Sequence, residues 1–322
     1  MTGARALAAL EAMRADASPL IDRHPDHVFF RLSELLAVWD GLGVDASPFR
    51  AGVELAGRRY AGYGLTRMLP LDRVLVGCGS SRAGAFGGFH HPDQGYRHFQ
   101  MVAVITMYGP MGGRVPETPS LALLDLLRAY AHDCLHYGSR RRYVDVAGLP
   151  VRTQYGVNFR RTNGRSYSTA DKRGSRYTRN LGIVMEGACD REARLIALRT
   201  AERFGVTEPS DVLGGLAFRD VTGALSDGDT REAGDPEDPE GEEQASYAAA
   251  LRGYERGVNR RYEHFLGEFA PGEENECHSL FLGAMISGDM STLGSWLDER
   301  HGPGTFAGLF RTPGYFDPGL TA

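Results

Sequence analysis

This sequence contains few cysteines and no long apolar run. The chain of 322 residues contains four cysteines, and no two of them form a CxxC pair. Wide spacing of this kind is typical of a reduced, cytoplasmic protein rather than of a disulfide framework. No segment approaches the roughly 20 apolar residues needed to cross a bilayer. We therefore expect a cytoplasmic protein with no membrane partner, and the sequence leaves its oligomeric state unknown.

A large excess of charge of either sign is also absent. The net charge is −5, with 42% hydrophobic and 24% charged residues. These values exclude a membrane protein and a wholly disordered chain, and the net charge argues against a protein that coats nucleic acid with its whole surface. The charges are unevenly distributed, however. Residues 226–244 hold nine acids and one arginine, a composition typical of a disordered acidic linker or loop.

The organisation of the chain follows from these composition changes. Apolar and β-branched runs at 71–78, 99–108 and 143–160 predict strands, the last with a hairpin turn at Leu149 and Pro150. Helix start and stop signals predict long helices from Pro119 or Ser120 to Gly138 and from about Thr178 to Phe204. We expect an α+β fold in four parts: a helical N-terminal segment (1–45), a catalytic region (46–225), the acidic linker or loop (226–245) and a helical C-terminal part (246–322).

Two histidines lie one helical turn apart in the segment AHDCLH. His132 and His136 are at positions i and i+4, so one face of a helix presents both imidazoles and both can bind one ion. A helical wheel places them opposite the apolar side that contains Leu127 and Leu135. The pair is therefore expected to line a cleft or to face solvent. The alternative interpretation is a solvated polar stripe.

Two carboxylates have the same spacing in the segment EGACD. Glu186 and Asp190 share a helix face with small and apolar residues, which indicates partial burial. A buried carboxylate is costly unless it is paired or binds a metal. The alternative to a metal ligand is an ordinary helix salt bridge with Arg191 or Arg194.

Together, HDCLH and the EGACD segment that follows it resemble the zincin metallopeptidases. The gluzincin branch carries HExxH on one helix and ExxxD on the next, and the resemblance covers about 130–200. It implies a zincin-like catalytic region with a mixed sheet and an active-site helix. It also implies that Zn²⁺ is bound by His132, His136, Glu186 and a water, and that Asp190 orients a ligand imidazole.

The sequence departs from this family at the general base, where Asp133 replaces glutamate. The shorter side chain withdraws the carboxylate by about 1.5 Å, one carbon–carbon bond, and a base must approach the water to about 2.6–3.2 Å. We expect a zinc-dependent hydrolase of peptide or amide bonds with Asp133 as the base. Zincins also place an oxyanion donor across the cleft, for which Tyr155, His264 and His278 are candidates.

The stretch 139–179 is rich in arginine and tyrosine. It holds eleven basic residues and two acids, a composition that suits phosphate, carboxylate or stacked bases. Because it lies between the two ligand helices, we expect an anionic peptide or small molecule as substrate; nucleic acid is a less favoured partner. The candidate substrate-binding residues are Arg160, Arg161, Arg165 and Arg176. The alternative is a solvated sheet surface.

A second enzyme class uses some of the same residues. The doublet His132-Asp133 resembles that of HD-type metal-dependent phosphohydrolases, with His98 and Asp190 as further ligands. The basic stretch would suit a phosphate substrate. Those folds are all-helical, however, whereas this sequence predicts strands.

A third interpretation is a non-catalytic, zinc-stabilised binding module for an acidic partner or nucleic acid. Structural zinc sites are normally closed by four protein ligands. The fourth ligand would then be His264, Cys277 or His278.

Overall fold

The structure is a computed structural model, and it combines helices with small sheets, as expected for an α+β protein. It describes residues 4–15, 28–78, 88–89, 97–99, 118–168, 170–172, 174–230 and 248–310. In this part of the chain no helix is long and apolar enough to cross a membrane.

The N-terminal part contains a strand that the sequence analysis did not predict. The elements are α1 (Ala4–Ala15), β1 (Val28–Arg31), α2 (Leu32–Gly41) and α3 (Ser47–Ala61). The expectation that 1–45 is helical is therefore wrong at β1, whose aromatic side chains suit a strand and which pairs antiparallel with the next strand. Helix α3 was also missed, although Pro48 in its first turn is a recognised start signal.

The first sheet has four strands and mixed pairing. A 3₁₀ turn (Leu71–Arg73) leads into β2 (Val74–Cys78), followed by β3 (Gly88–Phe89) and β4 (Arg97–Phe99). The strand order is β1-β2-β4-β3, with β2 and β4 parallel and the other neighbours antiparallel. The sheet is thus mixed, as expected. Apart from Phe99, the strand predicted over 99–108 lies outside the described residues.

The second sheet is an antiparallel hairpin with a short third strand. It consists of β5 (Arg141–Val146), β6 (Leu149–Tyr155) and β7 (Asn158–Phe159). Its turn is Ala147-Gly148, with φ of 53° and 81°, so the prediction of a turn at Leu149 and Pro150 is wrong. Two successive positive φ angles are typical of a type I′ hairpin turn, and Gly148 adopts its angle without strain.

Two long helices cross at the centre of the molecule. Helix α4 (Pro119–Gly138) has the predicted bounds, and α5 (Leu181–Phe204) begins three residues after the predicted start because the side chain of Asn180 accepts a hydrogen bond from the Gly182 amide at 2.8 Å. Ala131, Cys134, Ala188 and Cys189 are fully buried on these two helices, which pack against each other. Small side chains let the helices approach closely, so polar groups on the two helices can meet.

The remainder of the described chain is helical. It comprises α6 (Val212–Thr222), α7 (248–254), one π-helical turn (Glu255–Asn259), α8 (Arg260–Phe269), α9 (Glu274–Ser287), α10 (Ser291–His301) and α11 (Thr305–Phe310). Phe265, Phe281 and Phe306 form an aromatic core between these helices, as expected for a helical C-terminal part.

The predicted acidic linker begins with an ordered turn. Asp229 accepts hydrogen bonds from the backbone and the hydroxyl of Ser226, at 2.8 and 2.7 Å, and pairs with Arg219. Residues 226–230 are thus tied to α6. The remainder of the predicted linker, 231–245, lies outside the described residues.

The contact between α5 and α8 depends on a glycine beside Glu186. A Cβ added at Gly187 would lie 2.3 Å from Cβ of the fully buried Tyr262. We predict that Gly187→Ala lowers the free energy of unfolding by about 1–3 kcal/mol through overpacking. The matched control is Gly267→Ala in α8, where an added Cβ meets nothing within 4 Å. This variant should raise the free energy of unfolding by about 0.5–1 kcal/mol, because alanine is the better helix former. Urea denaturation of both variants measures the difference, and equal effects would contradict the packing argument.

Candidate metal centre

Helices α4 and α5 bring His132, His136 and Glu186 together. Nε2 of His132 and Nε2 of His136 each lie 3.3 Å from the same oxygen, Oε2 of Glu186. One potential ligand atom from each residue lies within 4.8 Å of the other two. The close approach of the two helices thus brings together two imidazoles and one carboxylate, although Glu186 lies 50 residues after His136 in the sequence.

The spacing of these atoms fits a tetrahedral metal ion. Ligand atoms about 2.0–2.1 Å from zinc stand about 3.3–3.4 Å apart at the corners of a tetrahedron. The two imidazole–carboxylate separations have this length. The donor set of two nitrogens and one carboxylate oxygen is also one that zinc accepts. The residues present therefore fit the ion that the zincin resemblance implies.

The ring of His136 is oriented by Tyr155. Nδ1 of His136 lies 2.9 Å from the Tyr155 hydroxyl, and that hydroxyl donates to the backbone carbonyl of His136 at 3.3 Å. With the hydroxyl proton directed to that carbonyl, Nδ1 can donate to the hydroxyl oxygen. In that tautomer the lone pair is on Nε2, the atom that faces Glu186 and that a metal ion would bind. His136 is only 1% exposed. The expectation that both histidines line a cleft or face solvent is therefore wrong for His136.

Tyr155 does not have the position expected of an oxyanion donor. Its hydroxyl is bonded at Nδ1 of His136, on the opposite side of the ring from Nε2. Its own ring is held between the guanidinium groups of Arg141 and Arg152, whose central carbons lie 5.3 and 4.9 Å from the ring centroid. Tyr155 therefore acts on the imidazole of His136 from behind.

The ring of His132 faces a carboxylate on each side. Its Nε2 points to Glu186, and its Nδ1 lies 3.6 Å from Oδ1 of Asp190. Asp190 also receives hydrogen bonds from Nε and Nη2 of Arg128, both at 2.9 Å, and pairs with Arg194. The implied orienting role and the alternative of a salt bridge with Arg194 thus occur together.

Arg128 is the residue of this site that the sequence analysis missed. Its proximity to the histidines on the helical wheel was the available signal, but no sequence pattern connects it with Asp190, 62 residues away. Arg128 and Arg194 also pair with Asp220, and Arg194 donates to Glu255 at 2.8 Å. All five charged groups are buried. Removing one partner from such a network of buried ion pairs leaves an uncompensated buried charge, which strongly destabilises the fold.

The electrostatics of the cluster favour an anionic carboxylate and a cationic imidazole. Burial opposes ionisation of Glu186, but the adjacent imidazoles of His136 and His132 lower its pKa well below the ordinary value. Burial also opposes the charged form of His132, which alone would lower its pKa, but the hydrogen bonds of this ring to Asp190 and Glu186 raise its pKa to about 9. Without a metal ion, His132 is therefore protonated at neutral pH, and a cation must displace that proton.

The remaining catalytic candidates do not join these three residues in the described part of the chain. Asp133 is buried, and it is not one of the grouped ligands. The HD-type doublet would need it there as a ligand. His264 contacts Tyr177, with ring centroids 5.9 Å apart. The side chain of His98 lies outside the described residues.

Both ring nitrogens of His278 are already engaged. Nε2 lies 2.9 Å from Oε1 of Glu192, and Nδ1 lies 2.7 Å from the Tyr262 hydroxyl. Burial lowers the pKa of His278, so the neutral ring donates to Glu192 and accepts from Tyr262. His278 and the adjacent Cys277 are buried away from the grouped ligands and do not supply a fourth ligand among the residues described.

The four candidate substrate-binding arginines separate into two places. Arg160, Arg161 and Arg165 lie in a tight loop after β7, where the Arg161 amide donates to the Arg165 carbonyl at 2.9 Å. The guanidinium of Arg161 stacks on the ring of Tyr167 at 5.2 Å. Arg176 lines a cavity elsewhere. The structure therefore does not gather the four into one surface.

Comparisons with protein-family models, curated proteins and solved structures found no match for this chain. The zincin resemblance thus depends on the residues of α4 and α5 alone.

The pKa of His132 makes metal binding dependent on pH. Between pH 7 and about 9 the metal-free ring is protonated, and binding releases that proton. We predict that the affinity for Zn²⁺ rises about tenfold per pH unit in this range and levels off above pH 9. Competition with a chelator of known affinity measures the slope, and a pH indicator should detect about one released proton per ion at pH 7.5. An affinity that is flat from pH 7 to 8.5 would contradict the prediction.

Proposed function

We propose that this protein is a zinc-dependent hydrolase with His132, His136 and Glu186 as the metal ligands. The observation that carries the proposal is the convergence of three ligand atoms within 4.8 Å of one another, with both imidazole–carboxylate separations of tetrahedral length and the far nitrogen of each imidazole facing Tyr155 or Asp190. Catalytic zinc sites use three protein ligands and keep one position open, whereas structural sites use four. The three grouped ligands among the described residues favour the catalytic type.

Each residue of the centre has a distinct task in this proposal. A zinc ion held by the three ligands would supply a water of lowered pKa and would polarise the bond to be cleaved. Tyr155 and Asp190 would hold the two imidazoles in the tautomer whose Nε2 is free to bind the ion. Asp133, which directly follows His132 on α4 and is not one of the grouped ligands, would be the general base that takes up a proton from the attacking water and returns it to the leaving group.

The substrate class follows from the bond chemistry of zincins and from nearby charge. We propose a peptide or amide bond in an anionic substrate. Two arginines of the basic stretch reach the back of the centre: Arg141 donates to the His136 carbonyl at 3.0 Å, and Arg152 stacks on Tyr155. Their positive charge supports binding of an acidic substrate in preference to a basic one.

Metal content provides the direct test of the ligands. We predict one zinc per chain for the wild-type protein and less than about 0.1 for His136→Ala, because a zinc site with one of its three protein ligands removed binds weakly. His264→Ala is the control and should keep one zinc, since His264 is outside the grouped ligands. Elemental analysis after dialysis measures all three.

Because His136 is buried, loss of zinc in His136→Ala can also result from misfolding, and a second variant separates these two causes. The side chain of Glu186 is 39% exposed, so Glu186→Gln should fold normally. It should lower zinc affinity by more than about 100-fold, because even a partner behind a ligand costs about 10–100-fold. Unchanged affinity in Glu186→Gln would contradict the assignment.

The role of Asp133 is tested by separating metal binding from turnover. We predict that Asp133→Asn keeps one zinc and loses about 10²–10⁴-fold in the rate of hydrolysis, the usual contribution of a general base. A fluorogenic peptide library and bis-p-nitrophenyl phosphate are the probes, with Asp133→Glu as the conservative control. Full turnover in Asp133→Asn would exclude Asp133 as the base. Faster hydrolysis of the phosphodiester than of any peptide would overturn the proposed bond class.

A further inference from the structure

A second concentration of arginines lines a cavity of about 700 Å³ beside α7, the π-helical turn and α8. One wall is the loop containing Ser175 and Arg176, and another contains Asp227 and Thr230. None of the residues that line it belongs to the metal centre. The side chains that give the cavity its charge are Arg176, Arg256, Arg260, Arg261, His264 and Asp227.

The helical wall presents a regular face of basic side chains separated by glycine. Gly253, Arg256, Gly257, Arg260, Arg261 and His264 all line the cavity and follow one another at intervals of three and one. A Cβ added at Gly253 or Gly257 would meet nothing within 4 Å, and the same is true of Gly174 in the loop. There is therefore open space beside the backbone at these three lining glycines.

The positive charge of the cavity is only partly neutralised. Four guanidinium groups share a single carboxylate among the described lining residues, Asp227, which pairs with Arg260. Two carboxylates outside the lining also take part: Glu255 lies 3.4 Å from Arg260, and Asp171 lies 3.3 Å from Arg261. Nε of Arg261 is buried and has no hydrogen-bond partner among the described residues, so Asp171 does not use all the donors of this side chain.

We propose that this cavity binds a ligand that carries two or more phosphate groups. Guanidinium groups match phosphate oxygens in two-point hydrogen bonds, and four arginines from two segments of the chain suit a ligand with more than one anionic group. The volume lies within the range of small-molecule sites, about 300–1,000 Å³. This binding is separate from the proposed hydrolysis and does not depend on it.

The rim of the cavity distinguishes two sources of such a ligand. His264 lies beside Tyr177, which is 57% exposed. An exposed aromatic ring next to a phosphate site can stack on a nucleobase. A nucleoside triphosphate and an inorganic polyphosphate share the phosphate chemistry and differ at this ring.

Calorimetric titration with sodium triphosphate tests the proposal on the full chain, with a chelator present so that no metal ion contributes. We expect saturable binding of one triphosphate per chain. Arg261→Gln and the exposed Arg176→Gln should each weaken it about tenfold or more, since a hydrogen bond to a charged group contributes about 1.5–3 kcal/mol. The matched control is Arg199→Gln on α5, whose side chain is 61% exposed and pairs with Glu202; it should leave binding unchanged.

The same titrations contain the outcomes that would overturn the proposal. No binding at millimolar triphosphate would do so, as would equal weakening in Arg199→Gln and Arg176→Gln. Loss of binding in His136→Ala would place the ligand at the metal centre instead. Tighter binding of ATP than of triphosphate, lost in Tyr177→Ala, would identify a nucleotide; equal binding would identify the phosphate chain alone.

Discussion

The ion pair between Arg128 and Asp190 is the interaction on which the centre of this molecule depends. Arg128 lies on α4 and Asp190 on α5, and the pair forms two hydrogen bonds inside the protein. Because a carboxylate buried without partners is costly, Asp190 can lie beside His132 only if arginines compensate its charge. The same pair joins the sides of the two helices that carry His132, His136 and Glu186.

The candidate metal centre and the buried network of ion pairs are therefore parts of one arrangement. Asp190 belongs to both, because its carboxylate faces His132 on one side and two arginines on the other. Glu186, one helical turn earlier, is partly exposed and does not belong to the network of buried ion pairs. Within one turn of α5, a carboxylate that is accessible to a ligand is thus followed by a carboxylate whose charge is compensated by buried arginines.

Sequence periodicity was sufficient to predict the two ligand helices but not what surrounds them. The i,i+4 spacing of His132 and His136 depends on helix geometry alone, so it could be recognised without a fold. Tyr155 was noticed as a polar candidate, but its position behind His136 depends on how the β5–β6 hairpin packs on α4. Strand β1 was missed because it has only four residues and is defined by its pairing with β2, a contact distant in sequence.

The placement of the three ligands on two helices has a mechanical consequence. A single ion bound there would join α4 to α5 and close a chain loop of about 50 residues that contains the whole β5–β6 hairpin. In the chain-entropy model, a cross-link that closes a loop of this length lowers the conformational entropy of the unfolded chain. The resulting stabilisation of the folded state is about 4 kcal/mol. The ion would then serve the protein as a removable staple, and loss of the ion would loosen the hairpin.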